Sequence, residues 1–267
     1  MREIKEPSVY LVAKTELVPG GLEAYLRDIG DPAWQPDPNL TSGEKLIEAA
    51  GRICYRSWQG YDPSLPEGTN PNVERVRSSS KEYLRNILAH EHGSVLEHVS
   101  VSFILKDVSR VVTHELVRHR AGMAYSQESL RYVRLDNLAF WFPQAVKGNP
   151  LALKRYKEVV KQLEEVQREL ATLFDLSQLK DFAVKKSLTS VLRRLAPLGL
   201  GTTILVTGNL RAFRHIIAMR TSPAAEEEIR LVVGKIAAIL KREYPAIFQD
   251  MQQNPQTGAW EFAYPKV

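Results

Sequence analysis

The chain has 267 residues, 44% of them hydrophobic and 25% charged, which is typical of a globular protein whose core needs no disulfides. Its single cysteine, Cys54, excludes an internal disulfide framework, and the chain has neither a bilayer-length apolar run nor an apolar signal segment. We therefore predict a cytoplasmic protein with no membrane partner, and its net charge of +5 favours anionic ligands.

The first half of the chain predicts helices on either side of one strand. Residues 42–55 have apolar side chains at helical spacing after Ser42, a suitable cap, and residues 74–90 predict a second helix. Residues 99–105 alternate between apolar and polar side chains, which indicates a strand. Helical spacing returns over 108–119.

The second half of the chain is also mainly helical. Asn209 would cap one helix, and Pro223 would begin the last one, where the acids that follow suit the positive end of the helix dipole. The other elements predicted in this half are helices over 150–174, 182–195 and 210–220 and a strand over 202–207.

These elements predict an α+β fold, with helices packed around a small, mostly antiparallel sheet. Helices outnumber strands and do not alternate regularly with them, which disfavours a doubly wound sheet. Glycines and prolines over 57–72 indicate a large surface loop, and a second break lies near 143–150. Neither segment resembles a long linker, so residues 1–267 are predicted to form a single domain.

An arginine-rich segment has the most unusual composition. Arg118-His119-Arg120 is followed by Ser126-Gln127-Glu128-Ser129-Leu130-Arg131-Tyr132. Guanidinium groups with nearby hydroxyls and amides suit a phosphate-bearing ligand. A solvated basic helix end explains the same composition equally well.

A histidine-rich segment, His90-Glu91-His92-Gly93-Ser94-Val95-Leu96-Glu97-His98, suggests metal binding at first sight. Its spacing does not fit the helical H-E-x-x-H zinc motif, and no cysteine joins it. Ligand contacts or capping between a helix and a strand are favoured, and we expect no metal.

Two further arginines, Arg193 and Arg220, are predicted near the ends of their helices. Both could face one cleft together with Asn209 and His215, although arginines more often extend along a helix surface into solvent. Cys54 lies in an apolar run and is predicted to be a buried, inert thiol that is dispensable for chemistry.

The order of these motifs resembles the flavin-dependent thymidylate synthases, from about Ala49 to about Arg230. HGSxLEH is followed by a strand, a helix ending in RHR, SQxSxRY, RxxxP, VTxN and finally Met219-Arg220. The RHR triplet with its trailing serine and arginine is the most specific part. Each of the other segments is a weak signal alone, and together they become specific through their order along the chain.

The resemblance implies reductive methylation of dUMP to dTMP, with methylenetetrahydrofolate as the one-carbon donor and FAD reduced by NADPH, in a homotetramer that binds no nucleic acid. It implies that Arg220 lies near the pyrimidine as the catalytic residue. The implied dUMP contacts are Glu115, Arg118, Gln127, Ser129, Leu130, Arg131, Arg193 and Arg220. The implied FAD contacts are His92, Ser94, Glu97, Arg118, His119, Arg120, Ser126, Gln127, Asn209 and His215.

The sequence departs from the family pattern at several positions. Eight residues separate the RHR triplet from Ser129, one more than in the short form of the motif, and Gly122 is expected to absorb the difference. Glu115 stands where glutamine is common, and would repel an anionic ligand unless paired, for example with Arg118. Ala224 replaces a histidine that can reach the flavin.

Two alternatives remain open from the sequence. A related flavoenzyme acting on another pyrimidine nucleotide is compatible with Glu115. A nucleic-acid-binding module would use the arginine-rich segment, although this segment lacks the aromatic and basic interleaving of known modules. Flavin absorbance of the purified protein would favour an enzyme.

Overall fold

The predicted strand at 99–105 is the centre of the main sheet in the computed structural model, which describes residues 1–132 and 137–267. The strands of these residues are β1 (Arg2–Ile4), β2 (Ser8–Lys14), β3 (Ser100–Ser109), β4 (Met123–Gln127), β5 (Ala139–Trp141), β6 (Gly201–Asn209), β7 (Met251–Gln253) and β8 (Trp260–Phe262). The helices are α1 (Gly21–Asp28), α2 (Ser42–Tyr55), α3 (Ser80–Ala89), α4 (Arg110–Leu116), α5 (Gln144–Lys147), α6 (Pro150–Leu173), α7 (Phe182–Leu192), α8 (Leu210–Arg220) and α9 (Glu227–Glu243), with 3₁₀ helices over Gly93–His98 and Arg193–Leu195.

The main sheet has the strand order β2-β3-β6-β4, and all its neighbours are antiparallel. Two small sheets accompany it, a parallel β1–β5 pair and an antiparallel β7–β8 pair. The predicted α+β class with a mostly antiparallel sheet is confirmed.

One face of the main sheet forms the largest core. Val101, Phe103 and Leu105 of β3 are at most 1% exposed, as the period-two pattern requires. Phe103 meets Phe213 of α8 edge to face, with ring centroids 5.4 Å apart. The apolar sides of α8 and α9 both pack into this core, and the two helices contact each other.

Helix α2 presents buried charges where its sequence suggests an apolar face. Glu48 and Arg52, one turn apart, are 0% exposed and form an ion pair of 2.8 Å. The last turn therefore projects Ile53, Cys54 and Tyr55 outwards, and Cys54 is exposed. The predicted buried thiol is wrong: Cys54 lies in the outward-facing last turn, and the buried positions of the helix include the charged Glu44, Glu48 and Arg52.

Several predicted helix boundaries are wrong. The helix expected over 74–90 begins only at Ser80, after the cap Ser79. The strand expected to end at 105 continues to Ser109 past a bulge at Asp107, whose φ is 58°, so α4 starts later than 108. The cap of α2 is Thr41, with a capping box to Glu44, and not Ser42. The final helix starts at Glu227 after the cap Glu226, with Pro223 in the preceding turn.

Within the described residues, no helix combines the length and apolar character needed to cross a bilayer.

Candidate functional site

The RHR triplet lies in the turn between α4 and β4. Helix α4 ends at Leu116, so the triplet follows the helix instead of completing it as predicted. The Tyr125 hydroxyl holds the turn by bonding the carbonyls of Leu116 (2.9 Å) and His119 (2.7 Å). Gly122 has φ +68°, which confirms that this glycine supplies the left-handed turn residue expected in the longer loop.

Helix α8 begins beside this turn. Asn209, the last residue of β6, accepts a hydrogen bond from the Ala212 N–H at 2.8 Å and caps the helix as predicted. The Asn209 N–H bonds the Gly122 carbonyl at 3.1 Å. A Cβ at residue 122 would lie 2.4 Å from Asn209 Nδ2, so glycine also permits the close approach of the turn to the cap.

Arg220 at the end of α8 joins the two segments. Its Nη1 donates to Glu115 Oε2 at 2.7 Å, and its Nε donates to His119 Nε2 at 2.9 Å. Glu115 therefore pairs with Arg220 and not with Arg118, the partner suggested by the sequence. This ion pair neutralises the carboxylate that would otherwise repel an anionic ligand.

His119 is held neutral in this cluster. Burial, then the neighbouring Arg220 and His215, lower the pKa of His119 to about 4. Because Arg220 Nε donates to Nε2, the ring proton of the neutral imidazole lies on Nδ1. His119 thus offers a fixed acceptor to Arg220 and helps to orient its guanidinium group.

A cleft of about 560 Å³ lies next to this cluster. Its cations are Arg118, Arg120, Arg211 and Lys266, and its acid, Glu97, pairs with Arg211 at 2.6 Å. The excess of positive charge suits a phosphate-bearing ligand. The lining residues are Glu97, Arg118, His119, Arg120, Ala121, Gly122, Asn209, Arg211, Ala212, His215, Ile216, Pro265, Lys266 and Val267.

Six of the ten predicted FAD contacts are among these lining residues. The cleft brings together Glu97, Arg118, His119, Arg120, Asn209 and His215.

The other predicted FAD contacts lie elsewhere. His92 lines a separate cavity of about 230 Å³ with Tyr55 and Arg75, and its ring stacks on Tyr55 at 5.7 Å. Ser94 is exposed on the 3₁₀ helix between the two cavities, and Ser126 is exposed on β4.

Most of the predicted dUMP contacts are also separate from the cleft. Gln127 lies on β4 and donates to Thr113 at 3.2 Å, and Ser129 accepts from the Arg131 N–H at 3.3 Å. Leu130 packs against a second, smaller core cluster. Arg131 lines another cavity, of about 400 Å³, beside α7, and Arg193 is exposed after that helix. None of these five side chains lines the cleft of the same chain.

Residues beyond the predicted set also form the cleft. Arg211 lies one turn before His215 on α8, a spacing from which it could have been inferred. Pro265, Lys266 and Val267 could not be inferred, because nothing in their local sequence indicates that the chain returns to this helix. In the part of the chain that the structure describes, no three His, Cys, Asp or Glu side chains are grouped as metal ligands.

The sequence around the RHR turn and the cleft places the protein in a known family. The chain belongs to the thymidylate synthase complementing protein family, whose sequence profile matches residues 39–246. Among its relatives, a flavin-dependent thymidylate synthase of Mycobacteroides abscessus is 36% identical over 263 residues, covering 94% of this chain and 92% of the relative. Another from Mycolicibacterium vanbaalenii is 34% identical over 255 residues, with the same coverage.

A solved structure supports the same fold. The UMP/dUMP methylase PolB of Streptomyces cacaoi, bound with 5-Br UMP, superposes with a TM-score of 0.62 and covers 93% of this chain and 95% of its own. Because it is 16% identical in sequence, this similarity concerns the fold alone. The family predicted from the motifs is confirmed by the sequence profile and the relatives.

The start of α4 depends on a buried acid from α9. Glu228, 1% exposed, accepts from the Ser109 N–H at 2.7 Å and also bonds the Ser109 hydroxyl, which caps α4. Burial raises the pKa of Glu228 to about 7, opposed by the Ser109 hydrogen bonds and reinforced by Glu226 and Glu227. The folded protein thus favours the protonated acid, and this contribution to stability is lost as pH rises from about 4.5 to 7.

Replacing Glu228 with glutamine is expected to flatten this pH dependence. Relative to the variant, the unmodified protein should lose on the order of 3 kcal/mol of unfolding free energy between pH 4.5 and pH 8. Urea unfolding of both proteins at several pH values measures the difference, with Glu261→Gln, an exposed acid, as the control. Parallel pH profiles for the two proteins would contradict the assignment.

Proposed function

We propose that this protein methylates dUMP to dTMP, with FAD as cofactor, methylenetetrahydrofolate as one-carbon donor and NADPH as reductant. The observation that carries the proposal is the cleft in which the RHR turn meets the cap of α8, directly beside the Arg220–Glu115–His119 cluster. The names of the relatives support the same activity. Membership of this family favours an enzyme over a nucleic-acid-binding module.

The residues of the cleft fit a flavin dinucleotide. Arg118, Arg120 and Lys266 provide positive charge for a diphosphate, and Asn209 and His215 provide polar groups along α8. The sequence has no G-x-G-x-x-G turn, so these side chains would take its place. Formation of the methyl group requires a hydride, and no side chain can supply one. Bound flavin would supply this hydride.

Arg220 is the residue suited to act on the pyrimidine. Its guanidinium is oriented by two hydrogen bonds, to Glu115 and His119, before any ligand binds. A positive group fixed in this way stabilises negative charge that develops on the ring without reorganising during the reaction. Gln127, Ser129, Leu130, Arg131 and Arg193 would hold the nucleotide, and Arg118 would contact both ligands.

A reconstituted assay tests the proposal. Apoprotein is incubated with dUMP, methylenetetrahydrofolate and NADPH, with and without added FAD, and dTMP is quantified. We expect dTMP only when FAD is present, and a flavin absorbance spectrum in the loaded protein. A parallel reaction with UMP tests the alternative nucleotide. Methylation of UMP but not dUMP would overturn the choice of substrate, and a protein that binds no flavin would overturn the proposal.

Arg118→Ala is expected to weaken FAD binding by about 10- to 100-fold. The variant loses a charge-assisted contact worth roughly 1.5–3 kcal/mol. Titration of apoprotein with FAD measures the effect. Arg155→Ala is the matched control, because Arg155 is 71% exposed on α6 and pairs with Glu158. Equal FAD affinity in the Arg118 variant and the parent protein would refute the contact.

We expect the active form to be a homotetramer in which neighbouring subunits complete each site. Arg131 and Arg193 are not among the residues that line the cleft of their own chain, and a neighbouring subunit would bring such groups to it. Large apolar side chains on α6 and α7 support association, with Leu151 79%, Leu173 76% and Phe182 66% exposed. Native mass spectrometry tests the oligomeric state, and a fully active monomer would contradict the homotetramer.

The cytoplasm remains the predicted location.

A further inference from the structure

The last residues of the described chain form one wall of the cleft. Pro265, Lys266 and Val267 line it, facing the RHR turn and α8. We call residues 263–267 the tail. The tail follows β8 and lies beyond residues 39–246, which the family profile matches. It therefore adds to the site a group of side chains that the family motifs do not include.

The tail is fastened to the helix that carries the cleft residues. Arg214 of α8 is 3% exposed and forms a bidentate ion pair with Asp250. The Nη1–Oδ1 and Nη2–Oδ2 distances are both 2.8 Å. Arg214 also donates to the Tyr264 carbonyl at 3.1 Å, and Asp250 accepts from the Tyr264 N–H at 3.2 Å. Because Arg214 directly precedes His215, these bonds fix the tail relative to the cleft.

The end of the tail is packed into the core. Val267 is 8% exposed and belongs to the main core cluster. Gly93 makes room for it, since a Cβ at residue 93 would lie 2.6 Å from the Val267 carbonyl carbon and 2.8 Å from Arg211 Nε. The tail end thus lies between α8 and the 3₁₀ helix that carries Glu97. The tail end is therefore a packed wall of the cleft.

Lys266 is the cation that this wall contributes. Lys266 is exposed, whereas Val267 beside it is buried, and Lys266 lines the cleft. Among the described residues, Arg118, Arg120 and Lys266 have no acidic partner within ion-pair distance, and Glu97 is occupied by Arg211. The Arg, Lys and Glu side chains that line the cleft are these three cations and the Glu97–Arg211 ion pair.

We propose that the tail is a built part of the cofactor site and that Lys266 binds the diphosphate of FAD. The inference rests on the proposed flavin dependence. A compact ammonium group on the tail would add to the two guanidinium groups of the RHR turn, which line the same cleft. Lys266 is thus a cofactor-binding residue from outside the family motif, and the Arg214–Asp250 pair positions it.

FAD titration of apoprotein variants tests this role. Lys266→Met removes the charge and keeps most of the stem, and should raise the Kd for FAD about 10-fold, as expected for the loss of one charged contact. Lys266→Arg should retain most of the affinity. Deletion of residues 265–267 should weaken binding at least as much as Lys266→Met. Lys180→Met, at an exposed lysine outside the cleft, is the matched control.

The results separate this inference from the proposed function. If the parent protein binds FAD and Lys266→Met binds it equally well, with an unchanged melting temperature, Lys266 does not contact the cofactor. Tighter FAD binding after deletion of residues 265–267 would identify the tail as an obstruction and overturn the proposal. A parent protein without FAD affinity would overturn the proposed function as well. A lower salt dependence of FAD binding in Lys266→Met than in the parent protein would support the contact.

Discussion

Arg220→Ala is expected to reduce turnover by roughly 100-fold or more, the range seen when one preorganised donor is removed from a reaction site. Arg220 is 20% exposed, with Nη1 on Glu115 and Nε on His119, so its guanidinium has a fixed orientation. Charge developing on the pyrimidine would strengthen its interaction with Arg220 in the transition state. Interactions of this kind raise turnover, whereas uniform ones mainly lower the Michaelis constant.

We expect Arg220 to act in the chemical step and Arg131 to act mainly in binding dUMP, and a comparison of the two variants tests this. Arg131→Ala should act chiefly on the apparent affinity for dUMP and leave turnover at saturation nearly unchanged. Arg242→Ala is the matched control, because Arg242 is 71% exposed and pairs with the adjacent Glu243. Near-normal turnover of Arg220→Ala at saturating dUMP would contradict a role in the chemical step.

The alternative to a role in the chemical step is a purely structural ion pair of Arg220. Pairing with a surface acid such as Glu226 or Glu228 would make the arginine dispensable. In the structure Glu228 bonds Ser109, Glu226 caps α9, and Arg220 turns towards the RHR segment instead. The ion pair of Arg220 is thus with Glu115, beside the cleft, and the turnover of Arg220→Ala decides between a structural and a chemical role.

Arg52→Ala is expected to destabilise the fold by about 3–5 kcal/mol, the usual cost of leaving one partner of a buried ion pair alone. Arg52 is 0% exposed and bonds Glu48 through Nε at 3.0 Å and Nη2 at 2.8 Å. It also donates to the carbonyls of Ser57 (2.6 Å) and Arg77 (3.0 Å), which fastens both ends of the segment between α2 and α3. The guanidinium lies 4.3 Å from the Tyr83 ring centroid.

A second substitution separates the unpaired charge from lost packing. Urea unfolding of Arg52→Ala and of the double variant Glu48→Gln/Arg52→Ala should differ, with part of the stability restored in the double variant, since Glu48 is then neutral. Arg85→Ala, at an exposed arginine on α3, should be close to neutral. A loss below about 1 kcal/mol for Arg52→Ala would mean that the pair contributes little.

Periodic patterns predicted the main elements well. Strand β3, the cap at Asn209 and helix α8 follow directly from alternation, capping chemistry and helical spacing. The pattern over 150–174 gives helix α6, which ends at Leu173. The single-domain organisation remains a prediction. Within the cleft, the motif resemblance identified the RHR residues, Glu97, Asn209 and His215, because these lie in short segments with distinctive spacing.

The remaining features depend on contacts between distant residues. Short strands such as β1 and β5 pair with each other across more than a hundred residues, and three-residue segments carry too little pattern to predict. Cys54 was misplaced because the neighbouring buried positions hold Glu48 and Arg52, which a hydrophobicity pattern assigns to the surface. The partner of Glu115 lies 105 residues away in the chain, so local sequence suggested Arg118 instead.

The cap of α8 also fixes the hydrogen-bond polarity of the cleft at Asn209. The amide oxygen accepts from the Ala212 N–H at 2.8 Å, which fixes the oxygen at the helix end and leaves the NH₂ as the donor that the amide group can offer to a ligand. A flavin carbonyl or phosphate oxygen would be complementary to this donor. A ligand N–H placed there would face another donor and remain unpaired, at a cost of about 1–3 kcal/mol if buried. Asn209, the cap of α8, thus favours a ligand that places a hydrogen-bond acceptor against its NH₂ group.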